Sequence, residues 1–171
     1  MQIQLNYRRQ ITAIVLSLVL LGPLLPSTAS AESHDGKPKM VDLWSPGDKG
    51  QRMRIRGRVM SIDGRPVPNV SIFIRHADSE GFDWSYHRGY VVTNEKGNYQ
   101  FGSVIPGNSH RLSHVHVYVD HEGFEYLETE FYFKHDPKAN ESDPNAIFLE
   151  AGTVDGETMM FGRYDITLIP R

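Results

Sequence analysis

Short runs in which apolar and polar residues alternate fill most of the chain from Arg52 onward. Because successive side chains of a β-strand point to opposite faces, this alternation predicts strands with one buried face. Turn residues separate the runs, as at Asp63-Gly64 and at Gly97, where glycine tolerates a positive φ. The pattern predicts an all-β fold, an antiparallel β-sandwich. Its candidate strands are RMRIRGRVM, NVSIFIR, two within YVVTNEKGNYQFGSV, HVHVYVD, ETEFYFK and GRYDITLI.

The first residues have a different pattern, which is that of an export signal. Arg8 and Arg9 precede the apolar run ITAIVLSLVLLGPLL, and small residues at 29–31 form a cleavage site. The apolar run is short for a membrane span. We expect residues 1–31 to be a signal peptide, residues 32–51 an N-terminal arm and residues 52–171 the β-sandwich domain, periplasmic or secreted. The alternative is an uncleaved N-terminal anchor.

Composition narrows the classes of partner. The chain has 171 residues, a formal net charge of -3 and no cysteine. This length is enough for one domain after the signal. The lack of cysteine excludes disulfides, thiolate metal sites and a cysteine nucleophile, so the core or a bound metal must stabilise an exported domain. The slightly acidic balance does not support a nucleic-acid partner, and no membrane contact is expected after signal cleavage.

Two histidines stand two positions apart in the run RLSHVHVYVD. On a strand, His114 and His116 project to one face while Val115 and Val117 project to the other. Neutral imidazole is a common ligand of iron, copper and zinc, so the pair can occupy neighbouring positions around one ion. The alternative is that both histidines are polar residues on a solvated sheet face.

Several segments resemble a known family in the order in which they occur. They are GRVMSIDGRPVPNVSIFI, HADSEGFD, RGYVVTNEKGNYQFGSVIPG, RLSHVHVYV, TEFYFKHDP and GRYDITL. Together they cover about Ile55 to Leu168 and resemble the intradiol ring-cleavage dioxygenases, the superfamily of the catechol and protocatechuate dioxygenases. The resemblance implies an intradiol-dioxygenase-like β-sandwich core, in agreement with the strand pattern.

The resemblance also implies roles for particular residues. In that superfamily two histidines and two tyrosines hold ferric iron, which assigns the histidine positions to His114 and His116. It assigns Arg111 as the catalytic cation that stabilises negative charge on a bound diolate. The tyrosine positions differ, because Asp83 and Ser109 occupy them in GFD and PGNS. Intradiol cleavage therefore cannot be transferred to this chain without a replacement for the tyrosines.

Several residues are candidates for the missing ligands. His110 adjoins the second lost tyrosine and Asp83 stands at the first, so both are candidate metal ligands. Tyr86 and His87 are further options or surface residues, and Glu130 stands where the superfamily has a glutamine near the metal. The resemblance favours iron as the cofactor. Copper or another divalent metal is the alternative, because the tyrosines are missing.

The remaining aromatic residues suggest a substrate pocket, and the remaining histidines are expected at the protein surface. We expect Tyr86, Tyr90 and Glu130 to contact the substrate, with Trp84 beside them, although the aromatic residues also suit a core or cross-strand pairs. The other histidines have no matching metal role and are predicted at the surface; they are His76, His121 and His135.

The leading hypothesis is an exported, mononuclear metal-dependent oxidoreductase that acts on catechol-type aromatic diols with O2, by intradiol ring cleavage or a related oxidation. Its expected partners are a small aromatic substrate and O2, and a homo-oligomer remains open. The alternative is a non-catalytic binding module, since transthyretin-like and regulatory-type β-sandwiches share the same opening segments. A periplasmic metal carrier is a third hypothesis.

Overall fold

The computed structural model describes residues 36–83, 87–108, 111–140 and 142–171. These ranges form eleven strands. Within the same ranges, no helix has the length and hydropathy of a membrane span. The strands are β1 (Met40–Asp42), β2 (Arg52–Ser61), β3 (Ser71–Arg75), β4 (Arg88–Val92), β5 (Asn98–Val104), β6 (His114–Val119), β7 (Leu127–Phe133), β8 (Ala146–Ile147), β9 (Leu149–Val154), β10 (Glu157–Arg163) and β11 (Ile166–Leu168).

The first sheet is built around the long strand β2. Its strand order is β1-β5-β2-β10-β9, and β11 also pairs with β2. Strand β5 pairs with one edge of β2 in the antiparallel direction. Strands β10 and β11 pair with the other edge of β2 in parallel, one after the other along its length. A strand of ten residues is therefore long enough to bind two successive partners along the same edge.

The second sheet has the order β4-β3-β6-β7-β8 and carries the histidine strand near its middle. Strand β6 runs antiparallel to β3 on one side and to β7 on the other. Because β6 has a hydrogen-bonded neighbour along each edge, its register and the direction of its side chains are fixed on both sides.

One continuous hydrophobic core lies between the two sheets. The alternation seen in the sequence is visible in the burial of the strands, since every second residue of β2, β3 and β6 is buried. The core includes Met53, Ile55, Val59, Ile72, Ile74, Tyr99, Phe101, Val115, Val117, Val119, Phe131 and Phe133. The predicted β-sandwich is confirmed.

Four strands of the sandwich were not predicted from the alternation, and one of them is the two-residue strand β8, which pairs in parallel with β7. The N-terminal arm contains β1, which pairs in parallel with β5. Strands β9 and β10 form a hairpin around Asp155 and Gly156, whose φ angles of 51° and 84° suit a two-residue turn. Strands β1 and β9 contain no fully buried residue, so they lack the buried alternation that identified the other strands.

Candidate metal centre

Strand β6 carries two histidines on the face of the second sheet that points away from the core. Val115 and Val117 are fully buried between the sheets, whereas His114 and His116 are partly buried on the opposite face. The buried valines fix the rotation of the strand about its axis. Both imidazoles are therefore held on the same outer face.

The two imidazoles meet at their Nε2 atoms. These atoms are 3.1 Å apart, and the ring centroids are separated by 4.7 Å with the rings nearly perpendicular. His114 Nδ1 donates a hydrogen bond to the carbonyl oxygen of Leu112 at 2.6 Å, so the lone pair of this ring is on Nε2. Two neighbouring nitrogen ligands, each about 2.1 Å from one ion, lie roughly 3 Å apart, and the observed spacing fits that arrangement.

Glu130 joins the two histidines from the neighbouring strand. It lies on β7 directly opposite His116. Its Oε2 atom is 3.5 Å from His116 Nδ1 and 3.9 Å from His114 Nε2. One donor atom of each residue lies within 4.8 Å of the others, and the described ranges contain no second group of three His, Asp or Glu residues with this spacing. The register between β6 and β7 therefore brings Glu130 close to two histidines that are distant from it in the sequence.

The other oxygen of Glu130 has different neighbours. The Tyr132 hydroxyl donates a hydrogen bond to Glu130 Oε1, and this bond raises the pKa of Tyr132 to about 12. Arg111 Nη2 lies 3.9 Å from the same oxygen, and its side chain is 71% exposed. The carboxylate therefore faces the imidazoles with Oε2, and the phenol and the guanidinium with Oε1.

The electrostatics of the site favour a neutral imidazole. Burial lowers the pKa of His116 below its ordinary value of 6.5, and the neighbouring His114 ring and the Arg75 guanidinium lower it further, because each disfavours a second positive charge beside it, although Glu130 opposes them. A neutral imidazole is the form that binds a metal ion. His116 is therefore available as a ligand at neutral pH.

The segment that leads into β6 is held by a buried carboxylate. Asp136 Oδ2 accepts hydrogen bonds from the backbone N–H of Ser113 and from the Asn108 side chain, each at 3.1 Å. Its Oδ1 accepts a bond from the backbone N–H of Lys138 at 3.0 Å. The Ser113 hydroxyl donates to the carbonyl oxygen of Pro106 at 2.5 Å. These contacts fix the residue that immediately precedes His114.

Comparisons with known proteins agree with this fold. The family model described as Dioxygenase matches residues 22–147. The chain belongs to the intradiol dioxygenase superfamily. Catechol 1,2-dioxygenase 2 of Acinetobacter lwoffii is 30% identical over 144 residues, which are 68% of this chain and 50% of the relative. Chlorocatechol 1,2-dioxygenase of Rhodococcus opacus is 25% identical over 169 residues, 78% of this chain and 65% of the relative.

The chain is also similar to solved structures. The dioxygenase domain of a dioxygenase and carbohydrate-binding protein fusion from Streptomyces sp. SirexAA-E matches with a TM-score of 0.62 and 21% identity, over 84% of this chain and 96% of that domain. The likeness establishes the shared fold. The chain spans about half the length of the curated catechol dioxygenases that it matches.

The structure brings together some of the residues that the sequence singled out and separates others. Arg111, His114, His116 and Glu130 lie at one site. Asp83 is exposed and does not join the group of donor atoms. Tyr90 lies on the same outer face but lines a neighbouring cavity. The residues that fall outside the described ranges are Trp84, Tyr86 and His110.

Two histidine predictions were wrong in the same way. His76 was expected at the surface, and His87 was considered as a ligand or a surface residue, yet both are buried and their rings stack at 5.0 Å. His76 Nδ1 donates to the Ala77 carbonyl oxygen at 2.7 Å, and its Nε2 accepts from the Ser103 hydroxyl at 2.8 Å. His87 Nδ1 donates to the Leu43 carbonyl oxygen. Such partners from distant segments make the burial of an imidazole possible.

One residue of the site was missed in the sequence, namely Tyr132. It shares the outer face of β7 with Glu130, since both lie opposite the histidines of β6 in the strand register. The period-two spacing of the two residues was the available signal. It did not identify a contact, because alternation identifies a shared face and not a hydrogen bond.

The donor set of this site fits a divalent metal ion. Two imidazoles and a carboxylate are typical ligands of non-haem iron(II), and also bind other first-row divalent ions. The tyrosine at the site keeps its proton at neutral pH, because its hydroxyl donates to Glu130. Glu130 therefore provides the oxygen donor of this group, from a position other than the two tyrosine positions of the superfamily.

Proposed function

We propose that the chain is an exported metal-dependent oxidoreductase that acts on catechol-type aromatic diols with O2. The observation that carries the proposal is the group formed by His114, His116 and Glu130 on the outer face of the second sheet. Membership of the intradiol dioxygenase superfamily supports dioxygenase chemistry. The reaction is intradiol ring cleavage or a related oxidation.

The metal would be held by Nε2 of His114, a ring nitrogen of His116 and Oε2 of Glu130. The superfamily favours iron, and copper or another divalent ion is the alternative because the tyrosine ligands are missing. A bound ion of this kind would supply a binding position for the diol and a route for electrons toward O2.

The surrounding residues have separate tasks in this proposal. His114 keeps Nε2 free of a proton by donating Nδ1–H to Leu112. Tyr132 holds Glu130 Oε1 by a hydrogen bond, which leaves Oε2 directed toward the imidazoles. Arg111 provides an exposed positive charge beside the site, where it stabilises the negative charge of a deprotonated diol.

Metal content and oxygen uptake test the proposal directly. We expect the purified chain to bind about one metal ion, and the His114→Ala/His116→Ala double variant to lose it together with O2 uptake on catechol and protocatechuate. Glu130→Gln should lower metal affinity at least about tenfold. Glu128→Gln, on the same strand but outside the group, and the exposed His135→Ala are matched controls.

Two results would overturn the proposal in different ways. Unchanged metal content in the double variant would refute this site. A full complement of metal without O2 uptake on any diol would refute the oxidative function and favour a metal carrier or a non-catalytic binding module.

The export part of the proposal depends on residues 1–31. The positively charged start, apolar run and small residues before residue 32 fit a cleaved signal peptide. Expression of the full chain in a bacterial host should yield a periplasmic or secreted protein that begins at Glu32. Recovery of an uncleaved chain in the membrane fraction would contradict this.

A further inference from the structure

The outer face of the second sheet carries a groove next to the candidate metal centre. The groove has a cavity volume of about 380 Å³, and the residues that matter for its chemistry are Phe73, Arg75, Tyr90, Tyr118, Asp120 and Tyr126. Its volume lies in the range of small-molecule sites, and aromatic walls with a few polar groups are typical of them.

A row of neighbouring aromatic rings connects the groove to the metal centre. The ring of Tyr90 lies 4.9 Å from Phe73, and Phe73 lies 5.9 Å from Tyr118. The Tyr118 ring in turn stacks on His116 at 6.1 Å with an interplanar angle of 26°. The rings of the groove therefore continue into one of the proposed ligands without a break.

Cross-strand pairing explains only part of this row. Phe73 lies directly opposite both Tyr90 and Tyr118 in the strand register, and such aromatic pairs stabilise a sheet. Tyr126, however, lies outside the strands and is 56% exposed, and Tyr90 is 66% exposed. Large aromatic rings left open to solvent around a cavity are better explained by a ligand than by the core.

The distance between the groove and the metal centre indicates how large a ligand that reaches both must be. His116 and Tyr118 are two residues apart on one strand, which corresponds to about 7 Å along the sheet. Arg75 lies opposite His116 in the register, so its guanidinium borders both the centre and the groove. A flat molecule that places one ring at the metal can therefore lay a second, linked ring on Tyr118 and Phe73.

We propose that this groove binds the second aromatic ring of an extended polyphenol whose catechol ring occupies the metal centre. The inference rests on the proposed function and adds its substrate class. The second ring lies on Tyr118 and Phe73, with Tyr90 and Tyr126 packed against its edges. Arg75 and Asp120 hydrogen-bond to its polar substituents. Single-ring catechols use the metal centre alone.

Binding of matched probes to the metal-loaded protein tests the groove. The probes are catechol, the flavone luteolin, which carries a catechol ring, and apigenin, which lacks one of the two catechol hydroxyls. We expect luteolin to bind about tenfold more tightly than catechol, since each aromatic contact contributes a several-fold gain. The Tyr90→Thr/Tyr126→Thr variant should lower luteolin affinity about tenfold more than catechol affinity. Phe148→Thr, which removes an aromatic ring of similar exposure outside the groove, should alter neither.

The outcomes separate this inference from the function on which it rests. Equal weakening of luteolin and catechol in the groove variant, or no weakening of either, overturns the groove. The groove is also overturned if the variant changes from dimer to monomer while its luteolin affinity stays the same, because this face would then contact a second copy of the chain. Loss of luteolin and apigenin binding in the groove variant of a protein that binds no metal would support the groove and refute the proposed function.

Discussion

At the scale of single residues, the site depends on the different partners of the two carboxylate oxygens of Glu130. Oε1 accepts the hydrogen bond from Tyr132, and Oε2 lies toward His116 at 3.5 Å. A carboxylate whose orientation is fixed by a hydrogen bond loses less conformational freedom when it binds an ion. The phenol at this site is therefore a positioning residue for the carboxylate and remains protonated.

Replacement of Tyr132 by phenylalanine tests this positioning role. The ring remains and only the hydroxyl is removed, so the fold should be retained while metal affinity falls by about tenfold. Titration with iron(II) or zinc(II) measures the affinity, and thermal unfolding without metal measures stability. Equal affinity in Tyr132→Phe and in the unaltered chain would show that Glu130 is held by other means.

At the scale of elements, strand β6 is held at both edges and at its beginning. Its neighbours β3 and β7 determine the register, and the buried Asp136 fixes the residue before His114. Burial alone would raise the pKa of Asp136, but hydrogen bonds from Lys138, Ser113 and Asn108 outweigh it and lower the pKa. The carboxylate is thus charged at neutral pH and tightly bound.

The Asp136→Ala variant should lose these bonds and leave their donors without a partner. We expect the free energy of unfolding to fall by about 2 kcal/mol or more, and metal affinity to fall with it, because the start of β6 is no longer fixed. Urea denaturation of the metal-free protein measures the first effect. The exposed Glu95→Ala serves as control, and equal stability of the two variants would contradict the prediction.

At the scale of the whole molecule, a buried histidine links the two sheets. His76 follows a strand of the second sheet and accepts a hydrogen bond from Ser103 in the first. Burial lowers the pKa of His76 from 6.5 to about 3, and the neighbouring rings of His87 and His114 add to the effect. The folded protein therefore holds this imidazole neutral, whereas the unfolded chain protonates it near pH 6.5.

This difference gives the molecule a defined acid sensitivity. The unfolded state binds the additional proton, so the contribution of His76 is complete above about pH 6.5 and is lost as the pH falls toward about 3. His76 should contribute a decrease of about 1.4 kcal/mol per pH unit to the free energy of unfolding in this window. Urea denaturation between pH 7 and pH 4 measures the slope, and His76→Gln should flatten it. An equal slope in both proteins would contradict the assignment to His76.

Much of the scaffold could be predicted because its physical causes are local. Alternation of apolar and polar residues identified the strands of the second sheet that matter for the site, β3, β6 and β7, and Gly97 identified a turn at a φ of 73°. The parallel pairings of β10 and β11 with β2 could not be predicted, since the choice of partner strand depends on contacts between distant segments. The same limit explains the two misplaced histidines, whose burial depends on Ser103 and Leu43.

By itself, the sequence determined that His114 and His116 share one face of a strand, because the period of a strand is two and the intervening valines belong in a core. It also carried ordered segments that resemble the intradiol dioxygenases, and the family match over residues 22–147 confirmed that resemblance. Only the tertiary structure decided which third donor lies beside the imidazoles. The register between β6 and β7 brings Glu130 opposite His116 and leaves Asp83 outside the group, and register arises from pairing between strands that no local pattern encodes.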